Sequence, residues 1–518
     1  MSTAAPALSP IERGSDLLNP ILVKETRQSL KSRQFVATFL LMLVASWLIS
    51  VFGILLAGAG AEYRTLGGGF FMAYYVVLAV AVFIVVPFGA FRSLLSERDQ
   101  HTWEVLSITT LKPRQIVWGK LLSSMVQIFI YYSAITPFMA FAILLKGIDV
   151  PTVAIVLVGS LFWSLALAMI GLTVSTFGSQ RYWQVFLTLA MLGGLLLGMI
   201  LPVSMVGNWM MFFEVDSSEF WWGCAIVGSL LGAYCILLLQ VAIGQLTFDA
   251  DNRTTNVRLA ASAVFWLGLV WISVGTLLPG LWGIPSFSGP DLGDFLQVVA
   301  VVVTVHWLVV GLFTVTENDV MSRRVRRNLA KFGPFRIFLA PLVPGGARGL
   351  VYLSLHLAAW FAFVYGILYI HATVNNKALN FIAGLCAYLF IYLGLGSVVG
   401  RLARHISGDF RPAHARVTTV LMIALGSILP QPLYFFESFR IHQNPPFWIT
   451  DPFSTLWRLG SGDDYSAVLM LLLGLGVVFT LLVNLRGMLS GIIDVARRPL
   501  PNPPSRPRPV SATHAQRS

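Results

Sequence analysis

The chain contains about twelve apolar stretches, each long enough to cross a bilayer as a helix, and this pattern restricts the folds open to it. A hydrocarbon core about 30 Å thick requires roughly 20 apolar residues in a helix. Only helices and closed barrels satisfy every backbone hydrogen bond in lipid, and barrel strands are shorter and alternate in polarity. Of the 518 residues, 56% are hydrophobic and 11% are charged, more apolar surface than one soluble core buries. The stretches cover residues 35–57, 70–91, 117–145, 151–177, 183–206, 221–248, 259–278, 295–315, 351–373, 380–400, 417–436 and 466–485. We predict an all-α integral membrane protein with about twelve transmembrane helices.

Basic residues predict its orientation. Cytoplasmic loops carry an excess of lysine and arginine, and all but five of the 35 such residues fall in the termini and in alternate loops. The five exceptions on the opposite side are Arg64, Lys146, Lys377, Arg440 and Arg458. We therefore predict a multi-pass protein of the plasma membrane, of the bacterial inner-membrane type, with both termini in the cytoplasm. The net charge of +12 is then explained by orientation and by contact with the lipid bilayer, so we expect no nucleic-acid partner.

Ionisable side chains are missing from the middle of every predicted span except for His306 and His356. Ion-coupled carriers usually place such groups at membrane depth, so the pattern disfavours a secondary transporter, and we interpret the two histidines as packed between helices. Intramembrane enzymes are disfavoured because no H-E-x-x-H motif or paired aspartates occur within spans. A non-transporting membrane scaffold stays possible. His405, Asp409 and His414 match no defined metal spacing, so we predict no metal site.

Two segments outside the spans have a helical pattern. Residues 19–33 are amphipathic and begin with Pro20 in a position typical of a first helical turn. This segment is either a helix lying along the headgroups or a charged flank that fixes topology. Residues 97–112, between the second and third spans, begin after Ser96, which can cap a helix, and end at Lys112-Pro113. We predict a short amphipathic helix there.

The second segment has the pattern Glu-Arg-Asp-x-x-Thr-x-Glu-x-Leu, followed by Thr-x-Leu-x-Pro-Arg-x-Ile-x-x-Gly-Lys. It resembles the cytoplasmic loop of ABC-2 type ABC transporter permease subunits, and residues 19–33 resemble the elbow helix of that family. His101 stands where the family usually has glycine, and Thr110 where a Thr-Pro pair is common. The resemblance covers residues 16–248 well, as one six-span unit, and covers the second six spans poorly.

This resemblance implies roles for particular residues. The elbow helix would include Asn19, Pro20, Lys24, Glu25 and Arg27. The coupling helix, which in the family docks on the ATPase, would involve Glu97, Arg98, Thr102, Glu104, Thr109, Pro113, Gly119 and Lys120. The chain has no G-x-x-x-x-G-K-[ST] motif to hold phosphates.

The resemblance therefore implies a permease subunit of an exporter, without catalytic residues, enzymatic activity or cofactors of its own. A separate ABC ATPase subunit, as a dimer, would bind ATP and Mg²⁺. A second permease copy is a further possible partner.

The second half has its own basic loop, from Glu317 to Arg348, in the position that the coupling loop occupies in the first half. It is either the trace of a diverged six-plus-six arrangement or an electrostatic anchor on anionic lipid. We divide the chain into a cytoplasmic N-terminus with the elbow helix (1–34), a six-helix transmembrane domain (35–248), a second six-helix region (249–498) and a disordered tail (499–518).

Overall fold

A computed structural model describes most of the chain, and the described part is helical without a strand. The described residues are 19–58, 66–99, 111–177, 181–212, 217–248, 250–278, 291–329, 333–371, 376–407, 410–431 and 449–497. They divide into two compact units. The first comprises the described residues up to Thr247 together with Ala260–Val274, and the second comprises Phe248–Leu259, residues 275–278 and the described residues from 291 onward.

The first unit begins with a short helix, α1, followed by long apolar helices. They are α1 Pro20–Leu30, α2 Arg33–Ala57, α3 Gly67–Ala79, α4 Val86–Asp99, α5 Pro113–Leu144, α6 Val150–Ser175, α7 Arg181–Phe212 and α8 Ser218–Leu246. A π-helical segment, Val80–Val85, makes α3 and α4 one continuous rod. This rod is the centre of the unit, because Phe71, Tyr74 and Phe83 are fully buried in it. By contrast α2 leaves Leu41 and Leu56 exposed, as expected for a helix that contacts lipid.

The second unit contains the remaining helices, except that residues Ala260–Val274 of α9 belong to the first unit. They are α9 Thr255–Leu277, α10 Leu292–Val315, α11 Arg323–Arg327, α12 Gly333–Leu339, α13 Gly346–Ile370, α14 Asn376–Ile406, α15 Pro412–Ile428, α16 Pro452–Ser461 and α17 Ser466–Ala496. Its central helix is α14, which contacts α10, α13, α15, α16 and α17. A Cβ on Gly396 would collide with Thr419 Oγ1, and one on Gly400 would lie 3.1 Å from Ala415 Cβ. The Gly396-x3-Gly400 spacing therefore permits close approach of α14 and α15.

Eleven helices of the described residues, 23 to 32 residues long, have the length and composition to cross a membrane. The prediction of an all-α, multi-pass membrane protein agrees with them. The predicted span 417–436 corresponds to α15, which has 17 residues, the lower limit for a spanning helix. The last residues of that predicted span, 432–436, lie outside the described part of the chain.

The first unit includes a segment of α9 that follows Thr247 in sequence. The main boundary between the units falls at Thr247, but residues Ala260–Val274 of α9 belong to the first unit. The physical reason lies in two contacts of Trp271. Its indole Nε1 donates to Ser229 Oγ at 2.8 Å, and its ring packs edge-on against Trp222 at 6.0 Å between centroids.

Candidate functional site

Helix α1 is joined at its first residue to the start of α5. Asn19 caps α1, since its Oδ1 accepts from the amide of Ile21 at 3.1 Å, and Pro20 occupies the first helical position. The other end of the same side-chain amide donates to the carbonyl oxygen of Gln115 at 2.6 Å. One side chain therefore both begins α1 and attaches it to α5, 96 residues away in sequence.

The two helices approach closely at Gly119. A Cβ on Gly119 would lie 2.7 Å from Ile21 Cβ and 3.1 Å from the backbone nitrogen of Leu22. Because a real Cβ does not come so near to a neighbouring residue, the contact requires glycine at this position. Ile21 is 5% exposed, so its side chain fills the space that the missing Cβ leaves.

Lys120, the next residue, joins three helices. Its Nζ lies 3.0 Å from Glu25 Oε1 on α1 and 3.1 Å from Glu97 Oε1 on α4, and 3.4 Å from Ser93 Oγ. The lysine side chain is 2% exposed, and those of Glu25 and Glu97 are 13% and 12% exposed. We call Glu25, Glu97 and Lys120 the lysine junction.

The charges of the lysine junction are balanced by one further residue. Lys24 Nζ lies 3.8 Å from Glu97 Oε1, with its side chain 57% exposed, so two lysines face two carboxylates. Ion pairs between exposed side chains contribute little to the stability of the folded protein. A buried lysine between two carboxylates differs, because removal of one partner leaves an uncompensated charge in a medium of low polarity. The bond to α1 and the bond to α4 therefore depend on the same ammonium group.

A polar cavity of about 210 Å³ lies beside the lysine junction. Helix α1 contributes Gln28 and Ser29, α4 contributes Arg92 and Ser93, and α5 contributes Ser123, Ser124, Gln127 and Tyr131. Tyr131 and Thr38 share a hydrogen bond of 2.6 Å at its margin. The three helices that meet at Lys120 thus also enclose a cavity lined mainly by polar side chains.

The structure brings some of the residues predicted from the family resemblance together and places others apart. Asn19, Pro20, Glu25, Gly119 and Lys120 meet at one place, together with Glu97 and the exposed Lys24. Arg27 is exposed on α1. Pro113 is the first residue of α5.

The predicted coupling helix, 97–112, falls largely outside the described residues. Helix α4 continues to Asp99, the side chain of Arg98 is not described, and Thr102, Glu104 and Thr109 lie outside the described part of the chain. The motifs do not indicate Ser93 as part of the site, although it lies four residues before Glu97 and therefore on the same face of α4.

The second basic loop folds around Arg258, which is fully buried. Its guanidinium donates to Glu317 Oε2 at 2.8 Å, to the Pro341 carbonyl at 2.6 Å and to the Val343 carbonyl at 2.9 Å. The same Glu317 oxygen accepts from the amide of Gly345 at 2.8 Å. Glu317 and residues 341–345, near the two ends of this loop, are thus held together through Arg258. Arg323, Arg324 and Arg327 within it are exposed.

The two histidines within predicted spans lie in an aromatic cluster of the second unit. His356 Nδ1 donates to the carbonyl of Tyr352 on its own helix at 2.8 Å. The ring of Trp307 lies 4.4 Å from that of His356 and 5.0 Å from that of His306, between centroids. This arrangement agrees with packing between helices. The described residues contain no group of three histidine, cysteine or acidic residues that could hold a metal ion.

Comparisons of the chain with family models, with curated proteins and with solved structures found no match.

Proposed function

We propose that this chain is the membrane-spanning permease subunit of an ABC-2 type transporter in the plasma membrane, exporting a substrate with energy from a separate ATPase subunit. The observation that supports the proposal is the lysine junction. It connects the helix that resembles the family's elbow helix to both helices that flank the segment resembling its coupling helix.

The geometry suits the transmission of movement. In sequence, the segment 97–112 connects the end of α4 to the start of α5. A displacement of this segment would act on Glu97 at one end and on Lys120 near the other, and Glu25 would carry it to α1. Because the three side chains share one ammonium group, the ends of α1, α4 and α5 would move as a single body. Hydrolysis in the partner could then shift the helices between two states by favouring one of them.

The rod of α3 and α4 contains a place where such a movement can be absorbed. The π-helical segment Val80–Val85 interrupts the α-helical register in the middle of the predicted second span, and Pro87 follows it. Such interruptions are known sites of helix bending. In this proposal the end of α4 moves with the ATPase, and the helix bends at residues 80–87, so that α3 changes its angle relative to α4.

The chemistry of ATP belongs to the partner. The chain has no phosphate-binding G-x-x-x-x-G-K-[ST] motif, so the ATPase subunit, as a dimer, would bind ATP and Mg²⁺. The residues of this chain would bind the partner, hold the helix ends together and form the path of the substrate.

The test is affinity purification of the tagged full-length chain from its native membranes. We expect an ATPase subunit to co-purify, and we expect Glu104→Arg, in the coupling segment, to release it while the permease stays folded. The matched control is Asp464→Arg, which makes the same charge change at an exposed residue on the predicted opposite side. The proposal is wrong if no ATPase co-purifies with the intact chain. It is also wrong if Glu104→Arg, like the control, leaves the recovery of the ATPase unchanged.

A further inference from the structure

Arginines outnumber carboxylates around the end of α10 in the second unit. Arg258 and Arg348 are almost completely buried there, and Arg401, Arg404 and Arg416 lie at the end of α14 and the start of α15. Among the described residues, the acidic residues of this region are Glu317 and Asp319. A third carboxylate, Asp494, is already paired with Arg326, whose Nη2 lies 2.9 and 3.1 Å from its two oxygens.

Both acidic residues already accept hydrogen bonds from other partners. Glu317 Oε2 accepts from Arg258 Nη2 and from the amide of Gly345, both at 2.8 Å. Asp319 Oδ1 accepts from the amide of Ala347 at 2.8 Å. These bonds hold the carboxylates at the base of α13. The arginines of α14 form no ion pair with them among the described residues.

Two of those arginines keep buried N–H groups without an acceptor. Arg401 Nη2 donates to Asn484 Oδ1 at 2.5 Å, but Arg401 Nη1 is buried and bonds to no described residue. Arg404 Nη1 is likewise buried without an acceptor in the described part of the chain. A guanidinium donates five hydrogen bonds and accepts none, so one nitrogen of each of these two arginines, at neighbouring positions of one helix face, lacks an acceptor among the described residues.

Arg416 faces the same region from α15. Its Nε donates to Thr316 Oγ1 at 3.2 Å, and its guanidinium lies over the ring of Phe313 at 4.3 Å from the centroid. This stacking fixes the plane of the group, and only its Nε bonds to a described residue. Three arginines from two helices therefore present unused donors at the ends of those helices.

We propose that Arg401, Arg404 and Arg416 form a binding site for a phosphate-bearing oxyanion, the phosphate of an anionic phospholipid headgroup or free phosphate. The planar forks of guanidinium groups match phosphate oxygens in pairs. The site lies at the helix ends that the charge pattern assigns to the cytoplasmic membrane surface. Leu402 and Ile406 on the same turns of α14 are 59% and 81% exposed, and they would contact the acyl chains of a lipid bound through its phosphate.

The experiment uses the purified full-length chain in phosphatidylcholine nanodiscs, at a salt concentration high enough to screen exposed charges. Thermal stability is followed while phosphatidylglycerol or inorganic phosphate is added. The variant Arg401→Gln/Arg404→Gln is compared with Arg323→Gln/Arg327→Gln, which removes the same charge from two exposed arginines of α11. We expect the first variant to lose affinity for the anion about tenfold or more, and the second to retain it.

The ligands distinguish the two sources. Stabilisation of the wild type by phosphatidylglycerol but not by inorganic phosphate identifies a lipid site, and stabilisation by phosphate alone identifies a site for the free ion. If the double variant does not fold, Arg404→Lys replaces it, because lysine keeps the charge and loses the paired donors. The proposal is overturned if neither anion stabilises the wild type. It is also overturned if the α14 variants bind the anion as tightly as the wild type and the α11 control do.

Discussion

The hydroxyl of Ser164 on α6 donates to the backbone carbonyl of Val82 at 2.6 Å, and both residues are fully buried. That carbonyl lacks its helical partner for a specific reason. In the π-helical segment the amide of Val86 bonds to Ala81 O, five residues earlier. The next bond in this register would run from position 87 to Val82 O, but Pro87 has no N–H. Ser164 therefore satisfies an acceptor that sequence and helix register together leave free.

Substitution Ser164→Ala should destabilise the protein by about 1–3 kcal/mol, because it leaves Val82 O unpaired in an apolar medium. Pro87→Ala should remove most of that cost, since it restores an N–H at position 87. The measurement is the free energy of unfolding in detergent for both single variants and the double variant. Ser133→Ala is the control, because Ser133 is exposed. A cost of Ser164→Ala that is the same with and without the Pro87→Ala substitution would contradict the explanation.

Trp163, next to Ser164 in sequence, likewise donates to a backbone carbonyl that a proline leaves unpaired. Pro202 lies inside α7 and cannot donate to Gly198 O, four residues earlier, which instead accepts from Trp163 Nε1 at 2.7 Å. We expect Trp163→Phe, which keeps an aromatic ring of smaller size and removes the donor, to cost at least about 1 kcal/mol. Trp183→Phe, at an exposed tryptophan, should cost less. A thermal unfolding series in which Pro202→Ala fails to reduce the effect of Trp163→Phe would refute this pairing.

The spans could be predicted from the sequence because each depends on a local property, a long apolar run. The features that could not be predicted involve contacts that no run encodes. Residues Ala260–Val274 join the first unit through Trp271 and its partners on α8, and an isolated tryptophan does not specify a partner. The π-helical segment Val80–Val85 consists of ordinary apolar residues. Only its tertiary partner Ser164 and the nearby Pro87 explain it.

The candidate site shows the same division. The motifs predict Glu25, Glu97, Gly119 and Lys120 as members of two separate segments. That Lys120 holds both carboxylates depends on how α1 packs against α5, which the motifs do not specify. In the sequence, Arg258 is only a basic residue that indicates orientation. In the structure it is buried against loop residues that follow it by 59 and 85 positions. A single arginine at the start of a span gives no signal of such a contact.

Helix α6 offers a prediction that depends on pH. Asp149 caps it, accepting from Thr152 Oγ1 at 2.6 Å and from the Thr152 amide at 3.2 Å. The hydrogen bond from the Thr152 hydroxyl is the main cause that lowers the pKa of the Asp149 carboxyl from its ordinary value, and the bond from the Thr152 amide lowers it further. A lowered folded-state pKa stabilises the protein above the unfolded-state pKa, and this contribution is lost as the pH falls through the folded-state value.

Substitution Asp149→Ala should therefore cost about 1 kcal/mol near neutral pH and less in acid. The measurement is the difference in unfolding free energy between variant and wild type at a series of pH values. Asp464→Ala, at an exposed carboxylate, is the control. A difference that stays constant or grows as the pH falls would show that the carboxylate is not the group responsible.

Two glycines on neighbouring helices should respond oppositely to the same change. A Cβ on Gly119 would collide with Ile21, whereas a Cβ on Gly89 of α4 would meet nothing within 4 Å. Gly89→Ala should stabilise by about 0.5–1 kcal/mol, because alanine favours the helix, and Gly119→Ala should destabilise by about 1–3 kcal/mol. Unfolding free energies of the two variants test this. The same sign for both would contradict the close packing of α1 on α5.

The lysine junction leads to the prediction most closely connected with function. Lys120→Met should cost about 3–5 kcal/mol, since it leaves Glu25 and Glu97 without their buried partner. The triple variant Lys120→Met/Glu25→Gln/Glu97→Gln should recover much of this stability, because no buried charge remains. Lys31→Met, at an exposed lysine of the same region, should change stability little.

Stability and partner binding then separate the roles of the junction. If it transmits movement from a partner ATPase, the triple variant should fold and retain the ATPase in affinity purification, yet the coupled ATPase activity should respond less to substrate than in the wild type. A triple variant that is as unstable as Lys120→Met would mean that the carboxylates are not held by Lys120. A triple variant that behaves as the wild type in every assay would show that the charges of the junction are not needed to transmit movement.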